Sequence, residues 1–357
     1  MNLFESTFEK HEKLMLEKLN PEYNLIKTKM SRIMDLPFGS SFVKYLKSAT
    51  NDPKVIAFLN AAKQDDSSED DKISVSGPTH VDVKNLRATQ KEVFIGKSLE
   101  FPLQNKKFDQ IKNFITKGTD PELDKAPIII SGNYIIDGHH RWSQVFCWNK
   151  DAKMMAYDIQ IDGAKDVEDI LKKMHLGISA TRSGLPLEDK PGAGNLFVMD
   201  DGAITKWLIA KIFQYDAYKA FSDPEVSEYM KRVIGKSDIN EKKYKQYALK
   251  GDGGKFTNRP EKEKTSKEDA EGQQQKVKYI KEVVGTYICK NVSYLKQNAG
   301  KFERKIMPQT GLDSAGNDAK IEDFVNTMKS GNVNVDVKTE NKIFESTFNK
   351  FKNLYTK

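Results

Sequence analysis

The sequence predicts an α+β fold in which a short group of β-strands lies between mostly helical regions. Residues 79–165 contain β-branched runs and alternating apolar residues, which are typical of strands. Residues 1–64 and 179–250 instead carry apolar residues at helical spacing. Polar stretches at 65–78 and 251–273 separate these regions. Because most of the strands fall in one part of the chain and most of the helices in others, an α+β architecture is expected.

The composition is that of a chain with a substantial core and no membrane segment. Its 357 residues are enough for two or three domains, and 19 Phe, 13 Tyr and 3 Trp are too many for a disordered chain. No apolar run approaches the roughly 20 residues that span a bilayer. The two cysteines, Cys147 and Cys289, are too few for a disulfide framework. We therefore expect a reducing compartment, the cytoplasm.

The helical region over residues 1–64 is divided by turn residues. Asp52-Pro53 favours a helix start, because Asp is a good N-cap and Pro suits the first helical turn. Helices are therefore expected over 39–48 and 53–63. Residues 65–78 are predicted to form an acidic linker.

The central domain is expected over residues 79–178. Two β-branched runs, 127–130 and 134–136, flank a Ser-Gly-Asn turn and predict a hairpin. A helix over 139–148 follows directly. The other elements predicted here are a strand around Val81 and Val83, a helix over 106–116, a strand over 155–161 and a helix over 166–174.

The remainder of the chain is predicted to be helical over 179–250 and 274–357, with a flexible linker over 251–273 between these regions. Residues 231–310 hold 20 Lys and Arg against 10 Asp and Glu. This basic excess has two interpretations: a solvated, lysine-rich helical surface, or a surface that binds DNA.

A short repeat links the two ends of the chain. Residues 3–10 recur as residues 343–350, and Phe-Glu-Ser-Thr-Phe is identical in both copies. Helical spacing places the aromatic residues of each copy on one face. Either each helix packs on the protein's own core, or residues 1–16 and 341–357 dock the same protein partner. The second interpretation predicts a non-catalytic interaction or virion-associated protein.

The strongest chemical feature lies where the predicted hairpin ends and a helix begins. Asp137-Gly138 turns the chain, and His139-His140-Arg141 opens the helix. A helix start presents N–H groups and a positive dipole end, so it attracts anions. Gly138 permits close approach of a ligand, and Arg141 supplies a planar fork for phosphate oxygens. The pattern predicts a phosphate or nucleotide site formed by these residues.

Three residues of this motif are also candidate catalytic residues. The carboxylate of Asp137 suits Mg²⁺ binding or proton abstraction, although Asp is equally common as a turn former. His139 and His140 ordinarily titrate near neutral pH and suit proton transfer. The alternative is that both histidines are structural and bond to backbone groups near the helix start.

This block also resembles a known family. The sequence from Pro127 to Trp142, Pro-Ile-Ile-Ile-Ser-Gly-Asn-Tyr-Ile-Ile-Asp-Gly-His-His-Arg-Trp, is similar to the core of the ParB/sulfiredoxin superfamily. The upstream Val81-Asp82-Val83 and Thr89-Gln90 resemble its opening strand and the Thr-Gln that follows. The resemblance implies a small mixed-sheet core and covers about a quarter of the chain.

The resemblance also implies a ligand. Members of this superfamily bind or process nucleotides, and some phage members are labelled ParB-like nucleases. By resemblance, Gly138, His139, His140, Arg141 and Gln90 contact the phosphates of ATP or CTP, and Mg²⁺ at Asp137 completes the site. A phage origin would place the protein in the host cytoplasm or the virion.

Two departures from the family narrow the implied activity. His139 stands where sulfiredoxins carry a catalytic cysteine, so sulfinate reduction is not expected. Partitioning ParB proteins carry Glu-Arg-Arg after the glycine and a helix-turn-helix afterwards, and neither pattern occurs over 138–250. The leading expectation is a nucleotide-binding protein with Mg²⁺-dependent phosphoryl transfer, nucleotide hydrolysis or nuclease action. The second is the docking protein described above, and the third is DNA binding through residues 231–310.

Overall fold

A computed structural model describes residues 32–61, 73–161, 164–182, 194–235, 267–311 and 319–330. The chain divides into two compact units, each built from separate stretches of sequence. The first unit comprises residues 1–76, 158–189 and 305–357, and the second comprises residues 77–157 and 190–304. No helix in the described ranges is both long and apolar enough to cross a membrane.

The fold is α+β, as predicted, with one mixed sheet of five strands in the order β1-β5-β3-β4-β2. The strands are β1 (Ile73–Asp82), β2 (Arg87–Ala88), β3 (Ile128–Ser131), β4 (Tyr134–Asp137) and β5 (Lys153–Ile161). β3 and β4 are antiparallel, whereas β2 runs parallel to β4.

Thirteen α-helices surround the strands in the described residues, together with short 3₁₀ turns at Val83–Asn85, Lys296–Asn298 and Arg304–Ile306 and π-helical turns at Gly96–Glu100 and Ile280–Gly285. The helices are α1 (Ser40–Thr50), α2 (Pro53–Ala61), α3 (Phe101–Gln104), α4 (Phe108–Lys117), α5 (Pro121–Asp124), α6 (His139–Trp148), α7 (Val167–Arg182), α8 (Asp201–Gln214), α9 (Tyr218–Phe221), α10 (Pro224–Ile234), α11 (Lys267–Tyr279), α12 (Thr286–Leu295) and α13 (Ile321–Ser330).

The predicted hairpin and the helix after it are confirmed. Ile130 pairs with Ile135 and Ser131 pairs with Tyr134, so Gly132 and Asn133 form a two-residue turn. Gly132 adopts a φ of 59°, which is the left-handed conformation that such a turn requires. The four residues of β3 are all buried, because the strand lies in the middle of the sheet. α6 then begins directly after β4.

The core of the second unit is built around α6. Trp142, Phe146 and Trp148 are 0%, 1% and 0% exposed. The indole N–H of Trp142 donates to the Val83 carbonyl over 2.9 Å, so this ring is satisfied as well as buried. α12 packs against α6, and its Tyr287 hydroxyl donates to the Trp148 carbonyl over 2.7 Å. The last carbonyls of α6 are thus satisfied from α12.

The residues from Thr89 to Ile95, here called segment 89–95, form an irregular stretch outside the five strands. Three neighbouring pieces of the chain pair with it. Backbone bonds join it to residues 300–302, where Phe302 and Lys301 donate to the Thr89 carbonyl and Gly300 donates to the Gln90 carbonyl. On its other half, Leu196 donates to Val93 and Ile95 donates to Gly194.

Side chains complete this pairing. The amide of Asn195 accepts from Val93 N over 3.1 Å and donates to Lys91 O over 3.0 Å. α6 supplies two more acceptors, described below. Buried backbone groups are costly when unpaired, so this set of bonds fixes segment 89–95 beside α6.

The first unit has its own helical core. α2 and α13 both contact α7, and α1 contacts α2. Phe42, Leu46, Leu171 and Phe324 are at most 1% exposed. His175 of α7 lies among these helices, with its ring 5.6 Å from that of Phe38, and its Nε2 donates to the Ile306 carbonyl over 2.8 Å.

Several predicted boundaries differ from those of the structure. β1 begins at Ile73, inside the stretch interpreted as an acidic linker over 65–78, because its burial alternates and it pairs into the sheet. α11 begins at Lys267, inside the predicted linker over 251–273. α7 extends to Arg182, beyond the predicted end at 174. The repeat segments, 1–16 and 341–357, lie outside the described residues, and their docking role stays a prediction.

We predict that Gly300→Ala destabilises the protein by at least about 2 kcal/mol, because overpacking against backbone cannot be relieved by a rotamer change. A Cβ at this position would lie 2.2 Å from the carbonyl carbon and oxygen of Thr89. Chemical denaturation monitored by circular dichroism measures the effect. Gly311→Ala is the matched control, since a Cβ there meets nothing within 4 Å. Equal stability of the two variants would show that residues 300–302 do not hold segment 89–95.

Candidate functional site

The candidate site lies at the start of α6. Gly138 has a φ of 96° and joins β4 to the helix. A Cβ at this position would lie 2.3 Å from Cγ2 of Ile128, so glycine is required here to pack the helix start against β3. The close approach that the sequence suggested for a ligand is thus made by the neighbouring strand.

His139 is buried inside the protein. Its side chain is 4% exposed, and Nε2 accepts a hydrogen bond from Thr89 N over 3.2 Å. The Thr89 hydroxyl, which donates to the Ile135 carbonyl over 2.7 Å, lies 3.0 Å from the same nitrogen. Burial lowers the pKa of His139 to about 3. The negative charge of Asp137 opposes this shift, and the positive charge of Arg304 adds to it. The imidazole is therefore neutral in the physiological range.

His140 faces the other end of segment 89–95. Its Nε2 accepts a hydrogen bond from Phe94 N over 3.2 Å, and the two rings stack with centroids 6.0 Å apart. The guanidinium of Arg304 lies 5.3 Å from the centre of the Phe94 ring. The two histidines thus bind the backbone of one segment at two points, and Arg304 is brought to the same place from far along the chain.

Arg141 and Asp137 both make contacts beside the helix start. Arg141 Nη1 donates to the Ala126 carbonyl over 2.9 Å, so part of its fork is committed to the loop before β3. Asp137 Oδ1 accepts from Gly138 N over 2.7 Å, as in a turn-forming aspartate. An ionised carboxylate has about four lone-pair sites, so a hydrogen bond from Gly138 N does not by itself prevent Asp137 from binding a cation.

Gln90 is the unusual residue of the site. It is 3% exposed, and among the described residues its side-chain Nε2 has no hydrogen-bond partner. The residue follows Thr89, which contacts His139, and its backbone pairs with Phe302, two residues before Arg304. A buried amide donor without a partner costs about 1–3 kcal/mol, so its presence calls for an acceptor that the protein itself does not provide.

The structure brings together all the residues that the sequence assigned to the site. Asp137, Gly138, His139, His140 and Arg141 are consecutive at the start of α6, and Gln90 lies across from them on segment 89–95. Their catalytic and phosphate-binding roles stay predictions. In the described residues no three His, Cys, Asp or Glu side chains are grouped closely enough to form a metal site.

Sequence reasoning missed Phe94, Asn195 and Arg304. Phe94 and Asn195 lie in irregular stretches without periodicity, and only the folded chain shows that they hold the site together. Arg304 belongs to the basic stretch 231–310, but its sequence neighbours form no motif that points to α6.

Comparison of the chain with known protein families, with curated proteins and with solved structures finds no match in any of the three.

We predict that His139 makes stability depend on pH. Its folded pKa lies below the unfolded value, so the unfolded state binds the extra proton and stability falls as pH drops from about 6.5 towards about 3, by about 1.4 kcal/mol per pH unit at most. Above pH 6.5 this contribution is fully present. His139→Gln keeps an acceptor and should reduce this slope in denaturant titrations at several pH values. The buried His175, whose pKa burial lowers to about 4, keeps contributing a slope of the same sign.

His80→Gln is the control for this prediction, since the His80 side chain is 42% exposed and lies on the surface beside Asp124. The slope should survive in that variant. An unchanged slope in His139→Gln would show that the imidazole is protonated in the folded protein or is not held by Thr89.

Proposed function

We propose that the start of α6 binds the phosphate groups of a nucleotide, ATP or CTP. The observation that carries this proposal is the buried Nε2 of Gln90, which lacks a hydrogen-bond partner in the described residues. Gln90 follows Thr89, whose backbone and hydroxyl contact His139 at the start of α6. A phosphate oxygen is the acceptor that such a donor suits. A nucleotide phosphate also matches the positive end of the helix dipole.

The charges around the helix start support an anion in preference to a neutral ligand. Arg141 lies one turn into α6, and Arg304 is close enough to lower the pKa of His139. Guanidinium groups bind phosphate oxygens through charge-assisted hydrogen bonds, which are about twice as strong as neutral ones. The opposing charge, Asp137, suits a divalent cation that accompanies the phosphates.

The two histidines are assigned to positioning in this proposal. Each uses Nε2 to accept a backbone N–H of segment 89–95, and His139 is neutral around neutral pH. They fix the segment that carries Gln90 against the helix start. Proton transfer by either histidine requires release of that bond, so we propose phosphate binding as the primary activity.

Among the described residues at the start of α6, Asp137 is the carboxylate that would hold magnesium. Mg²⁺ in nucleotide sites is usually held by one or two carboxylates together with substrate phosphates and water. A site with a single carboxylate therefore agrees with the lack of a three-ligand cluster in the described residues. When bound, the ion would neutralise phosphate charge, and hydrolysis or phosphoryl transfer would depend on it.

We predict that Gln90→Met stabilises the free protein by about 1 kcal/mol while weakening ATP or CTP binding at least about tenfold, because Met fills the space but donates no hydrogen bond. Calorimetry measures the affinity and denaturant titration the stability. A stabilised variant that binds as well as the wild type would contradict the proposal, as would absence of binding by the wild type.

Gln110→Met is the matched control. Gln110 is also buried, at 7% exposed, but its Nε2 donates to Asp120 over 3.2 Å and its Oε1 accepts from Gln144 over 3.3 Å. This substitution should destabilise the protein and leave nucleotide affinity unchanged.

We predict that Asp137→Asn removes the dependence of nucleotide binding on Mg²⁺. The amide oxygen still accepts from Gly138 N, so the turn is retained while the charge is lost. Wild-type affinity should fall at least about fivefold in excess EDTA, as expected when one charge-assisted contact is lost, and the variant should show no such difference. Any nucleotide hydrolysis should require Mg²⁺ and be absent from the variant. Hydrolysis in EDTA would rule out the metal role of Asp137.

A further inference from the structure

A second feature of the same unit lies on helices α9, α10, α11 and α12, where lysines and an arginine lie over tyrosine rings. Lys276 Nζ is 5.4 Å from the centre of the Tyr218 ring, and Lys231 Nζ is 5.8 Å from that of Tyr279. The two rings meet edge to face with centroids 5.9 Å apart. These four residues therefore form one continuous group.

The next contacts continue from α10 towards α12. Arg232, which follows Lys231, places its guanidinium 5.0 Å from the centre of the Tyr229 ring. The Tyr229 hydroxyl accepts from Asn149 Nδ2 over 3.4 Å. The residue after Asn149, Lys150, lies with Nζ 5.3 Å from the centre of the Tyr294 ring. The four cations and four tyrosines of these two groups are called the basic–aromatic band.

Three of the four cations of the band are exposed, and the fourth, Lys150, is partly buried with 25% of its side chain exposed. Lys231, Arg232 and Lys276 are exposed, and Tyr294 is 41% exposed. Asp151 lies 2.6 Å from Lys150 and 3.1 Å from Lys84, so it offsets part of the positive charge at that end of the band. Glu228 on α10 is the exposed acid beside Tyr229. The band therefore carries a net positive charge next to aromatic rings.

We propose that the basic–aromatic band binds single-stranded nucleic acid. Cations that follow a row of aromatic rings match an alternation of phosphates and unpaired bases. The face of a guanidinium that already stacks on a tyrosine is able to stack on a base as well. In a duplex the bases stack on one another, so only the phosphates are able to contact the band. Single strands are therefore expected to bind more tightly.

The band differs from the basic stretch 231–310 that the sequence suggested for DNA binding. Lys150, Tyr218 and Tyr229 lie outside that stretch, and the fold brings them to Lys231, Arg232 and Lys276. The rings that interleave with the charges come from separate helices, which is why no such pattern is visible along the chain.

Fluorescence anisotropy of the full chain with a labelled oligothymidylate tests this proposal. The wild type should bind it at least about tenfold more tightly than a duplex of the same length, because base stacking is lost in the duplex. Lys231→Gln combined with Arg232→Gln should weaken binding at least about tenfold. The same variant should reduce the slope of log affinity against log salt by about 1.4, since two phosphate contacts are lost and each contributes about 0.7.

The aromatic part of the proposal has its own variant. Tyr294→Leu should weaken oligothymidylate binding about fivefold without changing the salt slope, because stacking is lost and no charge is removed. Phe101→Leu is the matched control, since Phe101 is 52% exposed and also has a lysine, Lys107, 5.3 Å from its ring centre. Lys44→Gln with Lys329→Gln, both exposed and outside the band, controls for net charge.

Four results would overturn the proposal: no binding by the wild type, equal binding of the duplex, equal loss in the control variants, or preferential binding of heparin or anionic lipid vesicles with no effect of Tyr294→Leu. Gln90→Met should leave oligothymidylate binding unchanged. That comparison keeps the band separate from the site at α6, because failure of one leaves the other intact.

Discussion

The second unit depends on the pairing of one irregular and mostly buried stretch of backbone, segment 89–95. This segment is not part of a regular sheet, so its N–H and C=O groups take partners from three distant parts of the chain. His139 and His140 accept from its two ends, Asn195 bonds to its middle, and residues 300–302 lie along one side. Without these partners the burial of the segment would cost several kcal/mol, since each orphaned group costs about 1–3 kcal/mol.

The same hydrogen bonds determine which residues meet at the candidate site. Phe302 pairs with the backbone of Gln90. Arg304, two residues further along the chain, therefore lies near His139 at the start of α6. Because Thr89 bonds to His139, Gln90 is held in the interior, where its amide nitrogen has no partner among the residues that the structure describes. The histidines of the Asp-Gly-His-His-Arg motif therefore connect the helix to the segment, and the groups that we propose to contact a ligand are Gln90, the arginines and the helix start.

The sequence was sufficient for the local elements and insufficient for the contacts between them. The hairpin over Ile128–Asp137 and the helix over His139–Trp148 follow from β-branched runs, a Gly-containing turn and apolar spacing, which are local signals. The short β2 strand and segment 89–95 have no periodicity, and Arg304 lies more than 160 residues after His139. Gly138 was predicted to make room for a ligand, whereas its missing Cβ makes room for Ile128. Such assignments depend on tertiary packing and not on the motif alone.

Donation of the Gln90 side-chain amide to a phosphate oxygen at the start of α6, as proposed, can be observed by nuclear magnetic resonance. The side-chain NH₂ signals of Gln90 are assigned by their loss in the spectrum of Gln90→Met, and the nucleotide is then added to the wild type. If Gln90 and the start of α6 donate hydrogen bonds to phosphate, saturating ATP or CTP should move the Gln90 side-chain signals downfield. The backbone amide signals of His139 and His140 should move with them. Nucleotide binding that leaves the Gln90 signals unmoved, or no change in any signal, would contradict it.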